Sequence, residues 1–90
     1  MVVTPYCDND ITIEKFVRTF HENVDEHDLV WHRDSNDRII KIIEGNNWKL
    51  QYDDSLPMLL EQGHSYFIPK NDYHRVIQGN DVLIIEISEI

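Results

Sequence analysis

The stretch Gly63-His64-Ser65-Tyr66-Phe67-Ile68-Pro69-Lys70-Asn71-Asp72-Tyr73-His74-Arg75-Val76-Ile77-Gln78 decides the fold. Two short apolar runs, Tyr66 to Ile68 and His74 to Ile77, flank the turn signal Lys70-Asn71-Asp72. Glu61-Gln62-Gly63 is a second turn signal just before them. The pattern of short strand, turn, short strand continues in both directions. Arg38 to Ile43, Trp48 to Tyr52, Met58 to Leu60 and Val82 to Ile87 read as further strands, as does Asp28 to Trp31. Ser35-Asn36-Asp37, Gly45-Asn46-Asn47, Asp53-Asp54-Ser55 and Gly79-Asn80-Asp81 separate them. Trp48, Leu50 and Tyr52 alternate with Lys49, Gln51 and Asp53, so that strand has one wet face.

Seven short strands at near-regular spacing predict an all-β barrel or sandwich over about 28–90. Val2 to Tyr6 is placed to add an edge strand. Before residue 28 the period lengthens. Ile13, Phe16, Val17, Phe20 and Val24 match one face of a 3.6-residue period, which predicts a helix over about 12–24. Thr12 is its N-cap and Glu14 lies in its first turn. The helix is expected to pack outside the barrel. With 90 residues the chain has room for one core, so residues 1–90 are read as a single domain.

Charge narrows the function. Seventeen Asp and Glu against eight Lys and Arg give a net charge of −9. Such a chain is repelled by phosphate backbones and anionic membranes, so neither nucleic acid nor membrane is an expected partner. No apolar run approaches the ~20 residues of a membrane span, and the first residues lack a basic, long-apolar leader. The single cysteine, Cys7, excludes an internal disulfide framework and a cysteine-based zinc site. A cytoplasmic location is expected.

The polar residues that stand out are His32, Asp34, Arg38 and His74. His32 and Asp34 are two apart and face the same side of an extended chain. A closed barrel brings His74 to them from another strand. On these residues the chain resembles the cupin superfamily. His32-x-Asp34, three residues, Arg38, six residues and Gly45 follow the spacing of the first cupin motif from its first histidine. Asp34 stands where that motif has a second histidine, Arg38 where it has glutamate, and Glu26 where it has its leading glycine. Gly63, five residues, Pro69-x-Asn71-x-x-His74, three residues and Gln78 follow the second motif. Asn71 replaces a glycine there, and asparagine also tolerates a left-handed turn.

The resemblance covers 28–90. It implies a small double-stranded β-helix barrel, or jelly roll, with a pocket at one end and often a homodimer. It implies that His32, Asp34 and His74 occupy metal-ligand positions. Two imidazoles and a carboxylate suit Fe(II), and Mn, Ni or Zn also fit such a set. The order His-x-Asp…His also resembles the iron triad of 2-oxoglutarate-dependent oxygenases, which use a larger barrel. Cupins include dioxygenases, isomerases, lyases and binding modules, so the fold alone leaves the reaction open.

Arg38 complicates the site. A guanidinium stays protonated and is no metal ligand. At ~4–5 Å from a cation it costs a few kcal/mol even at an effective dielectric near 20. Two outcomes are open. Arg38 pairs with Asp34 and removes a ligand, or it turns aside and holds a substrate carboxylate or phosphate. Three functions follow: a metal-dependent protein acting on a small polar or anionic molecule, a metal-free binding module built on Arg38 and the histidines, or a non-catalytic dimerisation barrel. Trp31, Trp48 and Tyr73 are candidate ligand-binding aromatics, with core or barrel-edge packing as the competing role. Arg33 is expected to point away from His32 and Asp34.

Overall fold

The computed structural model describes residues 6–10 (backbone only), 15–21 and 29–90. It is an antiparallel β structure with eight strands among the described residues. In chain order they are β1 (Tyr6–Asp10), β2 (Lys15–Phe20), β3 (Arg38–Asn46), β4 (Lys49–Tyr52), β5 (Met58–Leu59), β6 (Ser65–Ile68), β7 (His74–Ile77) and β8 (Asn80–Glu89). They form a five-stranded sheet in the order β1-β2-β8-β3-β6 and a three-stranded sheet in the order β5-β4-β7. Most of the strands expected after residue 28 are present. Asp28 to Trp31 is the exception, since residues 29–31 are irregular and 28 lies outside the described residues.

The centre of the larger sheet is the β3–β8 pair. Ile40 faces Ile87 and Ile42 faces Ile85. These four are buried, with Leu83, on the inner face, whereas Ile39 and Lys41 point outward. Trp48, Leu50 and Leu60 come from the smaller sheet and its connections and belong to the same core. One apolar core therefore joins the two sheets. The β3–β8 register shifts between Ile42 and Glu44 and again between Glu44 and Asn46, the irregularity that bulges introduce. At Gly79 an added Cβ would lie 2.4 Å from backbone atoms of Asn46, Asn47 and Trp48. Only glycine lets the chain pass that close.

The helix expected over 12–24 is corrected within the described residues. Lys15–Phe20 is strand β2, paired with β8 and with β1. Positions 12–14 and 22–24 lie outside the described residues. The physical reason is an ambiguity in the pattern. Positions four apart share a face in a helix and also in a strand. Phe16 and Phe20 satisfy both. In β2 they sit opposite Ile87 and Leu83, so the inner face of β8 selects the extended form. The expected edge strand at 2–6 is found later, as β1, with 2–5 outside the described residues.

Candidate metal centre

His32 and His74 are hydrogen-bonded partners in an antiparallel bridge, His32 N–H to His74 O at 2.9 Å and His74 N–H to His32 O at 3.0 Å. The bridge adds the His32 segment to the free side of β7. Directly opposed residues share a face, and the two imidazole centroids lie 4.3 Å apart, edge to face. Asp34 is two residues on and points the same way. Its backbone is fixed from the other motif, because Asn71 N–H donates to Asp34 O at 2.8 Å. Asn71 has φ of 65°, the left-handed conformation its glycine-like position calls for. Lys70 N–H donates to Asp37 Oδ1 at 2.7 Å, so the turns at 35–37 and 69–72 are tied together.

His32, Asp34 and His74 each offer a donor atom within 4.8 Å of the others. Asp34 Oδ2 is 3.2 Å from His74 Nε2, and Oδ1 is 3.9 Å from His32 Nε2. Exposure is graded across the cluster: the side chain is 3% exposed at His74, 12% at Asp34 and 44% at His32. The site therefore opens to solvent on the His32 side.

Both rings make the same local contact. His32 Nδ1 lies 3.0 Å from Val30 O, and His74 Nδ1 lies 2.8 Å from Asp72 O. A carbonyl only accepts, so the proton sits on Nδ1, and in a neutral ring Nε2 carries a lone pair. This is the usual way a metal-binding histidine is oriented. It leaves the His74 Nε2 lone pair facing a carboxylate oxygen. Asp34 Oδ2 is buried and has no hydrogen-bond partner. Two arrangements relieve that contact, a second proton on His74 or a cation shared by the donors. Two ligands bound side by side at ~2.0–2.2 Å are themselves about 3.0–3.4 Å apart, which the 3.2 Å pair matches. The residue types and the His74–Asp34 spacing therefore fit a divalent ion, with His32 the outlying donor, 3.9 Å from Oδ1 and within 4.8 Å in the set as a whole. In the first arrangement His74 Nε2–H donates to Asp34, and this hydrogen bond lowers the Asp34 pKa below its ordinary 3.8, against the opposing effect of burial, with the charges of Arg38, His32 and His74 adding to the lowering.

Arg38 takes the first outcome in part, pairing with Asp34 through one nitrogen and not as a fork. Its phase on β3 matches Ile40 and Ile42, so it points inward. Nη1 lies 3.3 Å from Asp34 Oδ1, while Nη2 donates to Glu89 Oε1 at 2.7 Å. Arg38 thus bridges two carboxylates. Glu89 escaped the sequence reading, which ended the last strand at Ile87. The available signal was its phase, two residues beyond Ile87 on the inner face of β8. Asn36 Nδ2 donates to Glu89 Oε2 at 3.0 Å and holds its other oxygen.

The candidate aromatics are placed elsewhere. Trp48 is fully buried, its ring 6.0 Å from Phe20, and its Nε1–H donates to Asn80 O. It is a core residue. Trp31 and Tyr73 flank the two histidines in sequence and so face the opposite side. There they form a ladder with arginines: Arg75 is 5.0 Å from the Trp31 ring, and Arg33 is 4.7 Å from the Tyr73 ring. Tyr73, with Arg33 and the Asp53–Asp54 turn, lines a polar cleft of about 250 Å³. Tyr52 shares the His74 face of its sheet, and its hydroxyl donates to Phe67 O. Burial, and then Asp72, raise its pKa.

No protein-family model matches the sequence, and no curated protein does. Solved structures match by shape. An RmlC-like cupin with a double-stranded β-helix fold from Methanocaldococcus jannaschii superposes with a TM-score of 0.72 at 15% identity, over 97% of this chain and 81% of that one. Co(II) HppE in complex with Tris gives 0.76 at 15% identity, over 100% of this chain and 56% of that one. The DMSP lyase DddQ from Ruegeria pomeroyi gives 0.71 at 15% identity, over 83% of this chain. The match spans 36% of the lyase. The fold is that of the cupins, a double-stranded β-helix. Among the described residues, His32, Asp34 and His74 form a cluster whose donor atoms could hold a metal ion. Among the described residues no helix is long and apolar enough to cross a membrane.

Proposed function

We propose that this chain is a metal-dependent cupin that acts on or binds a small polar or anionic molecule. A mononuclear site is formed by His32, Asp34 and His74. The observation that carries this reading is the arrangement of donors. Two Nδ1-anchored imidazoles turn their Nε2 atoms toward the Asp34 carboxylate, His74 at 3.2 Å from the buried Oδ2 and His32 at 3.9 Å from Oδ1, the oxygen that also pairs with Arg38. The metal would be Fe, Mn, Ni or Zn, with Fe(II) the best match to two imidazoles and one carboxylate. Two fold neighbours, HppE with Co(II) and with Fe(II), support a metal in this architecture.

When bound, a divalent ion supplies Lewis-acid polarisation of a substrate oxygen, or oxygen chemistry if it is iron. The chain's own residues do the rest. Val30 O and Asp72 O fix the imidazole tautomers. Asp34 stays ionised and lowers the net charge of the loaded site to +1. Glu89 balances Arg38. The remaining positive charge, open on the His32 side, favours an anionic ligand. This is the basis for a substrate bearing a carboxylate, phosphate or similar oxyanion.

A metal-free module is favoured by one observation, the 3.3 Å pairing of Arg38 with Asp34. Elemental analysis separates the readings. Protein purified without chelator is compared with a His32→Ala/His74→Ala variant. Near-stoichiometric metal, lost in the variant, is expected. Absence of metal after incubation with Fe(II), Mn, Ni and Zn would overturn the proposal in favour of anion binding without metal. A homodimer is part of the proposal. It is supported by the exposed cross-strand pair Ile39 and Phe67 on the outer face, where β6 ends the larger sheet. Sedimentation velocity tests it, and a monomer at micromolar concentration would contradict it.

A further inference from the structure

We propose that Glu89 is a positioning residue that holds Arg38 off the cation site. The proposal rests on the metal reading and adds the means by which that site accommodates an arginine. The two terminal nitrogens of Arg38 are divided, Nη1 to Asp34 Oδ1 and Nη2 to Glu89 Oε1. A guanidinium prefers to place both nitrogens on one carboxylate as a fork. Asp34 is within reach for such a fork, and its second oxygen is the one that faces His74. A forked Arg38 would occupy Oδ2 and place its charge where the cation belongs. Glu89 prevents this by taking Nη2 at the shorter distance.

The placement of Glu89 is built in. Arg38 and Glu89 are directly opposed in the β3–β8 register, so strand geometry brings the two side chains within reach of each other. Ile40 and Ile87, the next inward pair, are buried and fix that register from below. Asn36 holds the far oxygen of Glu89. Phe16 of β2 lies under the guanidinium, its ring centroid 5.8 Å from Cζ. The arginine is therefore confined between a carboxylate it should hold and a carboxylate it should leave.

The test is Co(II) binding to the full chain, followed by visible absorption and chelator competition. Five proteins are compared: wild type, Glu89→Gln, Glu89→Asp, Arg38→Met and Glu89→Gln/Arg38→Met. Glu89→Gln is expected to weaken Co(II) binding at least tenfold. Glu89→Asp keeps the charge but shortens the arm, and is expected to weaken binding about threefold or more. In the Arg38→Met background, Glu89→Gln is expected to change affinity by less than threefold. Wild-type affinity in both single Glu89 variants would overturn the proposal. An undiminished tenfold loss in the Arg38→Met background would also overturn it, because Glu89 would then act without Arg38. If Glu89→Gln fails to fold by circular dichroism, Glu89→Asp decides alone: wild-type affinity overturns the proposal and a loss supports it. Failure of the underlying reading is distinct. Wild type would then bind Co(II) no better than His32→Ala/His74→Ala, and both proposals would fall together.

Discussion

Arg38 and Glu89 face each other across β3 and β8, with Nη2 2.7 Å from Oε1 at the end of a row of inward residues that is otherwise apolar. The two charges compensate each other where the core gives way to the polar end of the barrel. Arg38 also reaches Asp34 at 3.3 Å, so one ion-pair network links the sheet centre to the candidate metal ligands. Replacing one member alone leaves a half-buried charge without its partner. Such changes cost more than the pair itself contributes.

Metal binding should be visible in stability. A ligand that binds only the folded state at one hundred times its Kd adds about 2.7 kcal/mol. For a domain of this size that raises Tm by roughly 10–20 °C. Thermal melts with and without Fe(II), Mn, Ni or Zn are expected to show such a shift for at least one ion. His74→Ala is expected to abolish it.

The acid limb of stability should depend on Asp34. Its pKa is lowered in the folded protein from an ordinary 3.8. A group with a depressed folded pKa contributes stability above its unfolded pKa and loses it as pH falls through the folded value. Asp34→Asn is therefore expected to be less stable than wild type at pH 7. The difference should narrow below about pH 4. Urea unfolding in chelator at pH 7 and pH 3 measures the gap, and a gap that widens in acid would contradict the assignment.

Two isoleucines on β3 should respond differently. Ile42 is 0% exposed and packs against β8, whereas Ile39 is 39% exposed on the outer face. Ile42→Ala is expected to cost about 2–5 kcal/mol, through lost transfer energy and a residual cavity. Ile39→Ala is expected to cost under ~1 kcal/mol. Chemical denaturation of both variants checks the contrast.

Asn71 couples a turn to the site. Its φ of 65° is open to glycine and costly for a β-branched residue, and its N–H holds Asp34 O. Asn71→Gly is expected to retain metal affinity within a factor of three. Asn71→Val is expected to lose ~1–2 kcal/mol of stability and at least fivefold in affinity, because Asp34 is no longer held. Equal affinities in the two variants would dissociate the turn from the site.

His32, Asp34 and His74 were legible as candidates because the spacing within each motif is local, His32-x-Asp34 in one and Pro69-x-x-x-x-His74 in the other. Each stands at a set distance from turns that the chain specifies nearby, Ser35-Asn36-Asp37 and Pro69-Lys70-Asn71-Asp72. The alternation from Ile40 to Ile42, and Gly, Pro and Asn at the turns, specify strands without knowledge of neighbours. An all-β barrel or sandwich followed from these together, and the cupin arrangement from the resemblance of the two motifs. Tertiary structure decided the rest. Phe16 and Phe20 suit helix and strand equally, and only pairing with Leu83 and Ile87 makes that segment β2. Trp48 alternates like a pocket residue, yet Phe20 and Asn80 from distant parts of the chain enclose it. The charge of Arg38 argued against a metal so long as Asp34 was its only visible partner. Glu89, fifty-one positions away, changes that balance. A Coulomb interaction depends on distance in space, and only the closed β3–β8 pair makes that distance short.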